Sequence, residues 1–342
     1  MISELVNMST GPVAVSPQVM NALREPAISH RSPAFKRLYI KITDLLCTAF
    51  NVRETFLLTG SGTLANEAML QEIKYTCGPG IILSNGEFGS RLIEQARRNN
   101  INFVAYKLEW GKTFDLEEIE KTIKHHSAKW ILFCHCETST GVINDLNEIT
   151  ALADLNKCMC FVDCMSTVGT MPINLSRISM ATASSGKGLA SIPGLAIIFS
   201  NINLSLNKQT PVYLDLAHYS ANSGIPFTIS SNLLKALYVS IRQKLNEVQF
   251  DLVQEYGNQF FEILKEHDLV PFSKPDTKVF TIAANIKNKK FIEEVRGRGV
   301  GLSYESDYLK SRRWCQLATF GYYKERQLKY VINSLSKTLL HK

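Results

Sequence analysis

Two residues at the ends of successive apolar runs carry the clearest chemical signal in this 342-residue chain. Lys187 stands in Ala183-Ser184-Ser185-Gly186-Lys187-Gly188-Leu189, directly after the run Met180-Ala181-Thr182-Ala183. Upstream, Asp163 closes the run Met159-Cys160-Phe161-Val162. A lysine amine can form a Schiff base with an aldehyde. A carboxylate beside a pyridine nitrogen keeps that nitrogen protonated, so the ring acts as an electron sink. A lysine and an aspartate at the ends of two buried strands are what pyridoxal phosphate chemistry needs.

Three further segments fit such a site. Thr59-Gly60-Ser61-Gly62-Thr63 follows an apolar run and opens a helical pattern. Its glycines allow close approach of an anion, and a helix start presents free N–H groups. It is not a Walker loop, because no lysine follows. It is not G-x-G-x-x-G, because Ala65 occupies the third glycine position. A monophosphate is therefore the natural guest. Asn85-Gly86-Glu87-Phe88-Gly89 offers an aromatic that can stack on a planar ring or pack in the core. The hydroxyls of Cys136-Glu137-Thr138-Ser139-Thr140-Gly141 can bond a ring hydroxyl or cap the next helix.

The elements that must position these residues follow from periodicity. Strands are expected at Thr55–Thr59, Gly80–Ser84, Asn102–Lys107, Trp130–Cys134, Met159–Asp163, Met180–Ala183 and Leu195–Ser200. Helices are expected between them at Thr63–Cys77, Gly89–Arg98, Asp115–His126 and Asp145–Asn156. This alternation predicts an α/β fold with a mostly parallel seven-stranded sheet. The loop holding Lys187 is too short for a helical crossover, so its two strands should be antiparallel. All five candidate segments then lie at the C-terminal ends of strands, where open α/β sheets bind ligands. Beyond residue 230 the pattern predicts one long helix, Ser231–Tyr256, running on to Glu266. Strands near Val279–Ala284 and Cys315–Thr319 follow, with helices Lys290–Arg298 and Lys324–Leu340. The expected organisation is an N-terminal arm (1–14), a large cofactor-binding domain (15–235) and a smaller α+β C-terminal domain (236–342).

Composition narrows the class. The formal net charge is +7, but lysine and arginine are scattered, which argues for a solvated surface rather than nucleic-acid binding. No apolar stretch is long enough for a membrane span, and the N-terminus lacks a secretory pattern, so a cytoplasmic protein is expected. The spacings Cys134-His135-Cys136 and Cys158-Met159-Cys160 do not match a zinc knuckle, and no metal is expected.

The segments together resemble the class V, fold-type I pyridoxal phosphate aminotransferases. They are most similar to 2-aminoethylphosphonate–pyruvate and alanine–glyoxylate aminotransferases. The resemblance is carried by Ser9-Thr10-Gly11-Pro12, by Leu57 through Ala68 and by Ser84 through Gly89. Glu137 through Gly141, Val162 through Ser166, Ser184 through Lys187 and Pro193-Gly194 complete it, in family order over nearly the whole chain. It implies that Lys187 forms the Schiff base and that Asp163 pairs with the pyridinium. Phe88 would stack on the ring, and Thr138 would contact the ring hydroxyl. Ser61, Gly62, Thr63 and Ser185 would bind the phosphate. The resemblance also implies a homodimer with shared active sites, in which Thr228 and Ser231 reach the partner's phosphate site. Gly11 and Arg31 fall at substrate-binding positions; Ser29-His30-Arg31-Ser32 is similar to a substrate-phosphate segment of phosphoserine aminotransferase.

One position departs from the pattern. The family carries an arginine that clamps the substrate α-carboxylate where this chain has Gln316. An amide cannot balance a carboxylate. Either the substrate amine lacks that group or another cation holds it, with Arg31, Arg312 and Arg313 as candidates. The expected activity is transfer of an amino group from a small amine or amino acid, an aminophosphonate-like donor included, to a 2-oxo acid. A lyase, decarboxylase or condensing enzyme on the same scaffold stays open, as does a non-catalytic paralogue.

Overall fold

The computed structural model describes residues 5–245, 247–267, 269, 272, 279–283 and 288–340. The runs predicted as strands form one seven-stranded sheet. Its strands are β1 (Glu54–Thr59), β2 (Gly80–Ser84), β3 (Phe103–Lys107), β4 (Trp130–Cys134), β5 (Met159–Asp163), β6 (Met180–Ser184) and β7 (Leu195–Ser200). The order across the sheet is β1-β7-β6-β5-β4-β2-β3. Only β7 runs antiparallel, to β6 and to β1, as the short Lys187 loop requires. The remaining pairs are parallel.

Strands covered on both faces need apolar residues at every position. β2, β4 and β7 are buried throughout. Alternate residues of β5 serve opposite cores: Cys160 and Val162 join helices Pro33–Phe50, Leu116–His126 and Leu146–Leu155 on one face. Phe161 joins helices Gly62–Thr76 and Glu87–Arg98 on the other. The register pairs Asp163 with Cys134 on one side and with Thr182 on the other.

A third core lies between helices Glu247–Lys265, Asn288–Gly297 and Glu325–Leu340 and the antiparallel strands Val279–Ala283 and Trp314–Ala318. The N-terminal arm joins it. Val6–Asn7 pairs with Val300–Gly301, and Ala318 N donates to Met8 O at 2.7 Å.

Helices Pro17–Leu23, Pro33–Phe50, Leu216–Ala221 and Asp307–Arg312 were not among those expected. Ala284, the expected end of one strand, lies outside the described residues. The other bounds expected from periodicity agree to within two residues, with one exception. The expected continuous helix from Ser231 to Glu266 is two helices, Ser231–Lys244 and Glu247–Lys265. The backbone leaves helical geometry at Leu245 (φ −87°, ψ 68°). Leu234, Leu237 and Ile241 pack against the large sheet, whereas Tyr256 and Phe260 join the C-terminal core. Serving two cores requires a change of direction, and no glycine or proline announces it. The end of the first helix is fixed by buried Lys244, whose Nζ donates to Phe320 O at 3.2 Å and Gly321 O at 2.9 Å.

Candidate active site

The C-terminal ends of β1, β2, β4, β5 and β6 open into a cavity of about 710 Å³. Its lining includes Gly11, Ser61, Gly62, Thr63, Phe88, Thr138, Asp163 and Lys187, which the sequence had singled out. The C-terminal part closes the far side with Ser303, Glu305, Ser306, Tyr308 and Leu309.

Asp163 is buried at the end of β5. Met165 N donates to its Oδ1 at 2.9 Å, and Asn66 Nδ2 donates to its Oδ2 at 2.9 Å. Burial pushes its pKa up, while these hydrogen bonds and the Lys187 charge pull it down. Lys187 responds in the opposite sense: burial lowers its pKa and the Asp163 charge resists. Its Nζ lies 5.2 Å from the centroid of the Phe88 ring. A lysine shifted this way has more free amine at neutral pH, as a nucleophile needs.

The phosphate candidate is the start of helix Gly62–Thr76. The side chain of its N-cap residue, Ser61, makes no capping bond to the helix. The hydroxyl and the amides of Gly62 and Thr63 can therefore meet an anion, whereas Leu64 N is already bonded to Ser61 O at 3.0 Å. Gly62 packs closely on Met165: a Cβ there would lie 2.4 Å from Met165 Sδ, so that side chain would have to shift.

Phe88 is set by a device that spacing does not reveal. It sits in the first turn of helix Glu87–Arg98, whose N-cap residue, Gly86, has no side chain to cap with. The buried Glu137 carboxylate does that work, accepting from Phe88 N at 3.2 Å and Gly89 N at 2.9 Å. Ser139 Oγ in turn donates to Glu137 at 2.6 Å. Gly86 gives this loop room, since a Cβ there would lie 2.5 Å from Glu137 Cγ. Thr138, on the same loop, lines the cavity and bonds Ser166 Oγ at 2.5 Å.

Other expected residues are placed elsewhere. Ser185 does not line the cavity. Its hydroxyl donates to Ile192 O at 2.7 Å and accepts from Leu195 N at 3.2 Å, closing the loop that carries Lys187. Its neighbour Ser184 faces the cavity instead. Gln316 is not a cavity residue either. Its amide donates to Thr138 O and accepts from Tyr308 Oη at 2.8 Å, tying the C-terminal strand to the Thr138 loop. Tyr308 takes the place at the cavity, edge-on to Phe88 at 6.1 Å. Arg31 is exposed and outside the lining, and Arg312 stacks on Trp110 at 3.5 Å. Thr228 is exposed, and Ser231 accepts from Ile28 N at 3.0 Å; neither reaches this chain's cavity.

Among the lining residues that the sequence did not single out, besides Ser184, Tyr308 and its neighbours, are Arg91 and Asn66. Arg91 lies one turn after Phe88 on the same helix face, with its guanidinium 4.9 Å from the Phe88 centroid and 3.7 Å from Glu87. Helical spacing from Phe88 was the available signal. Asn66, on helix Gly62–Thr76, gave no chemical signal of its own.

A helix start for an anion, a carboxylate for a ring nitrogen, an aromatic for a ring face and a lysine amine together fit pyridoxal phosphate. Fold and site thus define the class of fold-type I pyridoxal phosphate enzymes. The family described as "Aminotransferase class-V" matches residues 17–213, more than half of the sequence, and the chain belongs to that family. It is 29% identical over 253 residues to an uncharacterised aminotransferase of Methanocaldococcus jannaschii, covering 70% of this chain and 66% of that protein. It is 30% identical over 200 residues to a 2-aminoethylphosphonate–pyruvate transaminase of Pseudomonas putida, covering 56% and 54%. The chain thus spans less than two thirds of the length of these curated relatives. The fold is shared with ureidoglycine–glyoxylate aminotransferase from Bacillus subtilis, with TM-score 0.86, 23% identity and coverage of 98% of this chain and 93% of that one.

Proposed function

We propose that this protein is a pyridoxal phosphate-dependent aminotransferase that moves an amino group from a small primary amine to a 2-oxo acid. The observation that carries this reading is the convergence of Lys187, Asp163, Phe88 and the Ser61–Thr63 helix start on one cavity. Pyridoxal phosphate, when bound, supplies an electron-withdrawing ring and a carbonyl carbon that exchanges one amine for another. Ser61, Gly62 and Thr63 hold its phosphate, and Phe88 covers one ring face. Asp163 keeps a proton on the ring nitrogen. Thr138 and Ser166, bonded to each other at the cavity wall, would meet the ring hydroxyl. Lys187 would be the attachment amine and, when free, would hold and move the proton at the substrate Cα.

The cation inventory bears on the donor. Gln316 is committed to Thr138 and Tyr308, so the family's arginine clamp has no equivalent at that position. Arg91 is the one cation besides Lys187 that lines the cavity among the described residues. A donor without an α-carboxylate, whose distal phosphonate or carboxylate meets Arg91, suits this arrangement. The similarity to a 2-aminoethylphosphonate–pyruvate transaminase lends support.

The same reading makes the protein a homodimer with shared sites, in which exposed Thr228 reaches a second copy; sedimentation of the purified protein tests this. It divides the chain after residue 14 and, because helix Ser231–Lys244 packs on the large sheet, after that helix rather than at residue 235. It places the protein in the cytoplasm, a reducing compartment that suits eight cysteines present as thiols. The deciding experiment is an absorption spectrum of the cofactor-loaded protein against a panel of amines. Bleaching of the visible band by one amine, with restoration by a 2-oxo acid, is expected. Release of carbon dioxide or ammonia with an unchanged band overturns transamination.

A further inference from the structure

Resting on the pyridoxal phosphate reading, we infer that Asn66 is a positioning residue that fixes the Asp163 carboxylate and keeps it ionised opposite the cofactor's ring nitrogen. Asn66 lies on helix Gly62–Thr76, one turn beyond the proposed phosphate site, and lines the cavity. Its Nδ2 donates to Asp163 Oδ2 at 2.9 Å, while Thr182 Oγ1 donates to its Oδ1 at 2.6 Å. Thr182 has one proton to donate, and the amide oxygen can only accept. The two bonds therefore set the amide one way round, with its NH₂ toward the carboxylate. All three side chains are buried.

The sheet register explains why these residues meet. Thr182 on β6 is the parallel partner of Asp163 on β5, and the helix carrying Asn66 packs on β6. The chain Thr182–Asn66–Asp163 thus runs from sheet to helix and back to the sheet edge. A carboxylate has two oxygens to satisfy in this buried setting. Met165 N takes one and Asn66 the other, and both bonds favour the charged form. Without the Asn66 bond the carboxylate attracts a proton more strongly and withdraws it from the ring nitrogen. The electron sink then weakens although no group that touches substrate has changed. An aliphatic residue at this position would fill the space yet leave Oδ2 without its donor.

The test uses full-length protein loaded with pyridoxal phosphate carrying ¹⁵N in the ring. The ¹⁵N shift reports directly whether the ring nitrogen holds its proton. Wild type is expected at the protonated position and Asp163→Asn far from it. Asn66→Leu should move toward the unprotonated position, with cofactor affinity about tenfold lower, the equivalent of one pKa unit. Thr182→Val leaves Asn66 in place but frees its amide to rotate. It should shift the resonance in the same direction by less, which a purely structural role would not produce. Circular dichroism melts confirm that each variant is folded. If Asn66→Leu and Thr182→Val both keep the wild-type shift while Asp163→Asn moves it, the inference fails and the cofactor reading stands. If Asp163→Asn leaves the shift unchanged, or wild type takes up no cofactor, both fall.

Discussion

Lys187 is useful as a nucleophile only when its amine is free of a proton, and its burial moves it that way. Lys187→Ala should abolish multiple turnover while leaving the phosphate and ring contacts to bind cofactor; sustained turnover by that variant overturns the assignment. Asp163→Asn should lower kcat by about a hundredfold or more with little change in the unfolding midpoint, a split that steady-state kinetics and urea titration resolve. Arg91 is proposed to meet the anionic group of the donor. Arg91→Met should therefore raise KM for an anionic amine about tenfold and leave kcat nearly unchanged, since the lost contact is made equally in ground and transition states. An uncharged amine should be indifferent to that substitution.

Elements hold these residues through bonds that cross between them. The Phe88 helix begins with a glycine and borrows its cap from Glu137 on another loop. Burial pushes the pKa of Glu137 up, and its hydrogen bonds from Ser139, Gly89 and Phe88 pull it back. Glu137→Gln replaces one acceptor oxygen by a donor, which then faces a backbone N–H. The expected cost is about 1–3 kcal/mol in urea unfolding, with weaker cofactor binding because Phe88 loses its anchor. Equal stability and affinity would show that the cap is dispensable. Gln316 acts between elements in the same way: it links the C-terminal strand to the Thr138 loop while presenting Tyr308 to the cavity.

At the scale of the molecule, the cavity exists because two packed units meet over one sheet edge, and Lys244 sits at their junction. It is buried with no acidic partner among the described residues, its ammonium held by the carbonyls of Phe320 and Gly321. Burial brings its pKa down from 10.5 to about 7. The unfolded chain holds this proton up to the ordinary lysine value, so between pH 7 and 10.5 unfolding takes up a proton. Stability should therefore rise with pH across that window, by up to about 1.4 kcal/mol per pH unit from this group. Lys244→Met should remove that slope and match or exceed the wild-type stability at pH 7. Denaturant titrations of both proteins at several pH values check this; parallel curves would show that Lys244 does not titrate there.

The sequence by itself determined the sheet, because strands buried on both faces must be apolar at nearly every position. It also determined Lys187, Asp163, Phe88 and the Ser61–Thr63 turn, because strand ends bring such residues to one edge whatever the packing above them. Only the tertiary structure decided which polar side chains face the cavity. Ser184 and Ser185 are adjacent and chemically alike, yet Ser185 is consumed in closing its own loop. Gln316, Glu137 and Asn66 take their roles from partners far away in sequence, at Thr138, Phe88 and Asp163. Hydrogen bonds between distant segments leave no periodic trace in the chain. The break after Lys244 was hidden for the same reason: the two halves are equally helical in sequence, and only the separation of two cores makes them diverge.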